Sequence, residues 1–288
     1  MSSASELTQI QKRILAAVLD DTGVERPPEP ASRIVAEAAS SAHLVERHFL
    51  EQLPYHCTML AMAIADALAS LARLSPELPF GAVVVARALL ECAADLYWLS
   101  DDHIDGQERA RRAFLIYLKQ HETVIRQLEQ LDKRVPAEIH GIPDLAKAID
   151  EGWESLKQHA EEMAAAGHKL RTTNKPGFRY IVGKDKPSIS ALIDRLINDH
   201  LGKTGLNLYT DYSPIAHAEG EGLGSLLTTS ATVETPEGLR YRRGFDDETW
   251  KKRIKAPAAG AARGSVGAWV EVAYPSRSGS LGGTSEAA

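Results

Sequence analysis

The chain has 288 residues, 44% of them hydrophobic and 25% charged, with a formal net charge of -6. That composition is the ordinary one of a soluble globular protein. The acidic excess implies no general attraction to nucleic acid or to an anionic membrane.

The length fits one domain of roughly 250 residues. We expect residues 1–255 to form it, followed by a flexible tail over 256–288. The N-terminal MSSASELTQIQKR has no apolar run, so no signal peptide is expected. Cys57 and Cys92 both lie in apolar stretches and read as reduced core thiols, which points to a cytoplasmic protein.

Leu7, Ile10, Ile14, Leu15, Val18 and Leu19 recur at helical spacing, which predicts a helix over 5–21 with Gly23 as its stop. Pro27, Pro28 and Pro30 mark a link. A second helix is predicted over 31–53, broken at Pro54, and a third over 55–74 with Asp66 in its middle. The central stretch, FGAVVVARALLECAADLYWLSDD over 80–102, is apolar on nearly every side, as in a helix buried within a bundle. Arg87 and Glu91 interrupt it, so no uncharged run reaches membrane-spanning length there.

Asp105 and Glu108 form a capping-box pattern that opens a helix to about Leu131. Another helix is predicted over 144–166, closed by Gly167. Residues 168–187 have no clear period and carry Lys169, Arg171, Lys175, Arg179, Lys184 and Lys186. Ser188 caps the next helix. TTSATVETPEGLRYRRG predicts a small hairpin between Leu226 and Phe245, and Asp246 to Lys255 a short helix. From Ala256 onward, Ala, Gly and Ser dominate, which is the composition expected of a loose tail. The fold class that follows is an all-α multi-helix bundle with a minor β-hairpin near the C-terminus.

Arg87, Glu91 and Asp95 recur at steps of four, so they share one face of the central helix. Burying them requires partners. One reading is an internal ion-pair network that sets helix register. The other is a polar pocket with shifted pKa values, which Asp66 could join. A second constellation is Tyr209, Tyr212, Ser213 and His217. Ser213 before Pro214 is a sensible N-cap, with His217 one turn on. It reads either as a capped helix with one bonded histidine, or as a group that brings His217 to the charged stripe as a general acid or base.

No metal is expected, since the histidines are scattered and no Glu-x-x-His pair occurs. No nucleophile elbow, P-loop or dinucleotide glycine pattern occurs either, and no cofactor is expected.

RALLECAADLYWLSDDHIDGQERARR resembles a family of uncharacterised bacterial helical proteins, a domain of unknown function. The matching residues are Arg87, Glu91, Tyr97 with Trp98, Asp101 with Asp102, and Arg109 with Arg112. The family's later Tyr, Ser and His cluster is matched by Tyr209 or Tyr212, with Ser213 and His217. The resemblance runs from Leu44 to Glu221 and implies no assigned activity. The pattern is also similar to HEPN-like bundles, whose ribonucleases place His four to six spacers after Arg. Counting from Arg87, those positions hold Cys92, Ala93 and Ala94, a departure, whereas Arg195 and His200 fit the spacing.

The resulting expectation is a binding or structural bundle with a polar centre of Arg87, Glu91, Ser213 and His217. An RNA-directed HEPN-like enzyme and a small-molecule-binding bundle are the alternatives. A homodimer, a small molecule and RNA are the partners left open, and a membrane is not among them.

Overall fold

The computed structural model describes residues 3–74, 79–135, 144–171, 181–182, 186–202, 228–235, 238–244, 248 and 250–280. In chain order they form α1 (Ser3–Val18), α2 (Arg33–Ser40), α3 (Leu44–Arg73), α4 (Pro79–Leu99), α5 (Gly106–Arg134), α6 (Leu145–Ala165), β1 (Leu170–Arg171), β2 (Ile181–Val182), α7 (Ile189–Leu201), β3 (Thr228–Thr235) and β4 (Gly238–Gly244). A π-helical turn (Trp250–Lys255) then runs into α8 (Ala256–Ala273), and a 3-10 turn (Pro275–Ser280) follows. The all-α class expected from sequence is what these residues show. The backbone of β3 pairs antiparallel with β4, and β1 with β2. Residues 236–237, where the hairpin's turn is expected, lie outside the described residues.

The chain divides into two compact units, not the single domain expected. One comprises Met1–Ser32, Pro54–Asp102 and Pro187–Ala288, the other Arg33–Leu53 and His103–Lys186.

In the first unit, α1 buries Leu7, Ile10, Ile14, Ala17 and Val18, the stripe its spacing predicts. It ends in a turn where the Asp20 carboxylate accepts from Thr22 N and Val24 N, with Gly23 at φ 81°. That positive φ is where glycine carries no Cβ penalty. α4 buries Ala82, Val83, Ala86, Leu89, Leu90, Ala93, Ala94, Leu96 and Leu99. It is not enclosed on all sides, because Gly81, Val84 and Ala88 are exposed. Small apolar residues on the outer face erased the amphipathic signal that would have shown this.

The largest correction concerns the expected tail. Residues 256–273 form α8, which packs against α1, α4, α7 and the π-helical turn. Alanine is the strongest helix former, so its abundance favours helix as readily as it suggests looseness. Pro257 lies in the first turn, where its missing N–H is harmless. Val266, Trp269, Val270, Val272 and Tyr274 are all at most 2% exposed. Beyond the helix, Tyr274 Oη donates to the Arg26 carbonyl at 2.8 Å, and Ser276 N donates to Glu29 Oε2 at 3.1 Å. Glu29 N in turn donates to the Ala273 carbonyl at 2.9 Å.

In the second unit, α5 and α6 pack side by side. Phe114, Leu118, Ile125, Leu145, Ile149, Trp153, Leu156, Ala160 and Met163 form its core with Val45 and Phe49. The expected break at Pro54 does not occur, since α3 is continuous through it. The interruption falls instead between Ser40 and Leu44, where Ser41 Oγ bonds the His43 carbonyl and the Glu46 carboxylate. A serine hydroxyl that competes for backbone partners ends a helix locally. The predicted cap at Asp105 is present, with its carboxylate accepting from Glu108 N at 2.8 Å. The Ser188 cap also forms, accepting from Ala191 N at 3.2 Å. α3 is long and apolar enough to cross a membrane by length and composition alone.

Truncation after Pro257 should therefore disrupt the first unit. Each large side chain lost with α8 contributes about 1.5–3 kcal/mol of burial. Four of them rival the roughly 5–15 kcal/mol stability of a whole domain. Circular dichroism melts should show a much lower Tm, or no cooperative transition; an unchanged Tm would mean that α8 is dispensable.

Candidate functional site

The predicted stripe lies on α4. Arg87 Nε reaches Glu91 Oε1 at 3.0 Å. Their side chains are 15% and 39% exposed, so the pair is partly open to water. Asp95 is half-buried on the same face. Between them, burial pushes the Cys92 thiol upward, and the charges of Asp95 and Glu91 add to this. Cys92 is thus held in its unreactive protonated form. Asp66 is exposed on α3. Tyr209, Tyr212, Ser213 and His217 lie outside the described residues, and so does their expected meeting with Arg87 and Glu91.

A second cluster in the first unit joins the end of α4 to α7. Tyr97 Oη donates to Asp199 Oδ2 at 2.8 Å. Arg195 donates to Asp101 Oδ2 at 3.2 Å and lies 3.7 Å from Asp199 Oδ2. The Arg195 guanidinium stands 5.9 Å from the Tyr97 ring centroid, close enough for a cation–π contact. His200 meets Tyr97 edge to face at 5.2 Å. Helical spacing brings Arg195 and Asp199 together on α7, while Tyr97 lies in the last turn of α4 and Asp101 just beyond its end. On its other side, the His200 ring fills the place a Cβ would occupy at Gly264 of α8. Burial, then the bond to Asp199, pushes the Tyr97 hydroxyl up to about 12. Burial lowers His200 below 6.5, although Asp199 and Glu271 pull the other way. At neutral pH the cluster therefore presents a neutral imidazole, a protonated phenol and more carboxylates than guanidinium.

The second unit holds the most deeply buried charges, which the sequence reading did not single out as a site. Arg109 is 0% exposed, and its Nε lies 2.7 Å from Glu37 Oε2. The other Glu37 oxygen accepts from Arg33 Nε at 2.7 Å. Arg33 also donates to the Ile104 carbonyl. His168 Nε2 and Glu46 Oε1 lie 2.8 Å apart, with side chains only 4% and 6% exposed. Ser41 and Gln107 complete the bonding of the Glu46 carboxylate. Burial would raise Glu108, but its bonds to Arg111 and Arg112 outweigh this and hold it below the ordinary carboxylate range.

These partners stand 72 and 122 residues apart in sequence, beyond any local pattern. One signal was present: Arg109 and Arg112 lie near the start of α5, where the helix dipole disfavours cations, so carboxylates had to be near. Among the described residues, no group of three or more His, Cys, Asp or Glu is arranged to hold a metal ion. What the arrangement does chemically is pair the Arg109 guanidinium with the Glu37 carboxylate and join His168 to Glu46 by a buried hydrogen bond. No protein-family model, curated protein or solved structure matches the chain.

The two kinds of pair should respond differently to mutation. Glu37→Ala takes a carboxylate from a fully buried guanidinium and should lower stability by roughly 3 kcal/mol. Glu91→Ala breaks a pair already screened by water and should cost less than about 1 kcal/mol. Urea denaturation of both variants measures this. A greater loss for Glu91→Ala would contradict the placement of the buried framework in the second unit.

Proposed function

We propose that this helical bundle is a binding or structural protein rather than an enzyme. The carrying observation is the contrast between its charged groups. Arg109 with Glu37, and His168 with Glu46, are enclosed and bonded to each other, as groups that fix helix register are. The Arg87, Glu91 and Asp95 stripe stays partly open, as a surface that receives a polar ligand must. In this reading Ser213 and His217 extend the stripe, with Tyr209 and Tyr212 beside them, and a small molecule is the ligand class. The likeness to the helical domain of unknown function, the C-terminal hairpin, a cytoplasmic setting and a homodimer belong to the same proposal.

One observation favours the RNA-directed alternative. Arg195 and His200 are both exposed and share Tyr97 as a neighbour. Against it, Asp101 and Asp199 already occupy the guanidinium, and their charge opposes a phosphate backbone.

A thermal-shift screen against metabolites and nucleotides, paired with an RNA cleavage assay, tests both. A ligand present at about 100 times its Kd should stabilise the protein by about 2.7 kcal/mol. Arg87→Ala should abolish that gain, and RNA should remain intact. RNA cleavage that is lost in His200→Ala would replace the binding reading with the enzymatic one.

A further inference from the structure

In the second unit, three histidines from three helices converge on one aromatic group. His48 of α3 stacks on His159 of α6, with ring centroids 5.8 Å apart and planes 19° apart. Tyr117 of α5 lies 5.5 Å from His159 and 4.0 Å from His121. Phe49 contacts His48, His159, Tyr117 and Phe114, which ties the group to the unit's core. His48 and His121 are exposed, while His159 and Tyr117 are half-buried, so protons reach the group.

We propose that His48, His121 and His159 form a pH-sensitive seam that loosens the packing of α5, α6 and the start of α3 as the medium turns acidic. The titratable groups facing one another are His48 from α3, Tyr117 and His121 from α5, and His159 from α6. Among the described residues, none of the three imidazoles is bonded or ion-paired to a carboxylate. The one hydrogen bond in the group runs between His159 Nδ1 and the Ser155 carbonyl, 2.9 Å apart. Glu122, next to His121 in sequence, pairs with Arg126, and Glu162 accepts from Gln158.

Neutral rings stack without electrostatic penalty. One imidazolium can rest on an aromatic face as a cation–π pair. A second has no described counter-ion and meets the first at ring-contact distance. The seam therefore resists its second proton.

The sign follows from His121. Although the residue is exposed, the part of its ring covered by Tyr117 and its neighbours loses water, which lowers its folded pKa below the ordinary 6.5, and the charge of His159 adds to this. Below pH 6.5 the unfolded chain takes up the proton before the folded one does. Stability is thus fully present above that value and falls as pH drops through it.

Two measurements on the full chain test the proposal. Histidine ring resonances followed by NMR should give His121 a titration midpoint below the ordinary value. His159→Gln should move that midpoint upward; no movement would show that the rings are not coupled. Hydrogen exchange over 114–121 and 153–163, corrected for intrinsic rates, should accelerate from about pH 7.5 to about pH 5.5. The acceleration should be smaller in His48→Gln, a substitution at an exposed side chain that keeps the fold. Equal acceleration in wild type and variant would overturn the seam.

Discussion

The first unit depends on how closely α8 can approach its neighbours. Where side chains are Ala or Gly, helix backbones can come together and leave no room for water. α8 presents Ala258, Ala259, Ala261, Ala262 and Gly264 as buried residues against this packing. Interior glycine costs a helix about 1 kcal/mol relative to alanine. At Gly264 the return is structural, because the His200 ring takes the vacated space. The same contact holds His200 against Tyr97, and Tyr97 binds Asp199. A backbone vacancy thus sets the position of a polar cluster on two other helices.

The second unit is organised differently. Its core is aromatic and aliphatic, with Phe49, Phe114 and Trp153 among the largest members. Buried ion pairs run beside that core and not through a small-residue contact. Such pairs do little for net stability, since desolvation opposes attraction. They do penalise any register that separates the partners. Arg109 could not be left inside without Glu37 or another acceptor. The polar network therefore acts as a specification of which helix faces meet.

What was legible in the sequence was what is local. The Asp105 and Ser188 caps, the α1 stripe and the Arg87 to Glu91 spacing all depend on residues three or four apart, and each is found. Pro54 misled because proline lowers helix propensity without forbidding a helix that tertiary packing supports. α8 was missed because Ala, Gly and Ser richness describes both a loose chain and a tightly packed helix. Only the spacing of Val266, Trp269, Val270 and Ala273 separates the two, and it was outweighed by composition. Glu46 with His168 was illegible for a different reason: nothing near either residue encodes a partner 122 positions away. The Ser213 and His217 constellation lies outside the described residues.

Substitution at Gly264 tests the account most directly. Gly264→Ala adds roughly 1 kcal/mol of helix propensity, while a methyl overlapping the His200 ring costs about 1–3 kcal/mol. The two nearly offset, so stability alone is a poor reporter. The position of His200 is the sensitive one. Pushed off its place against Gly264, the imidazole gains more water, and its NMR titration midpoint should rise toward the ordinary 6.5 from its lowered value. An unchanged midpoint in Gly264→Ala would mean that α8 does not approach α7 as closely as described, and the small-residue contact would lose its central role.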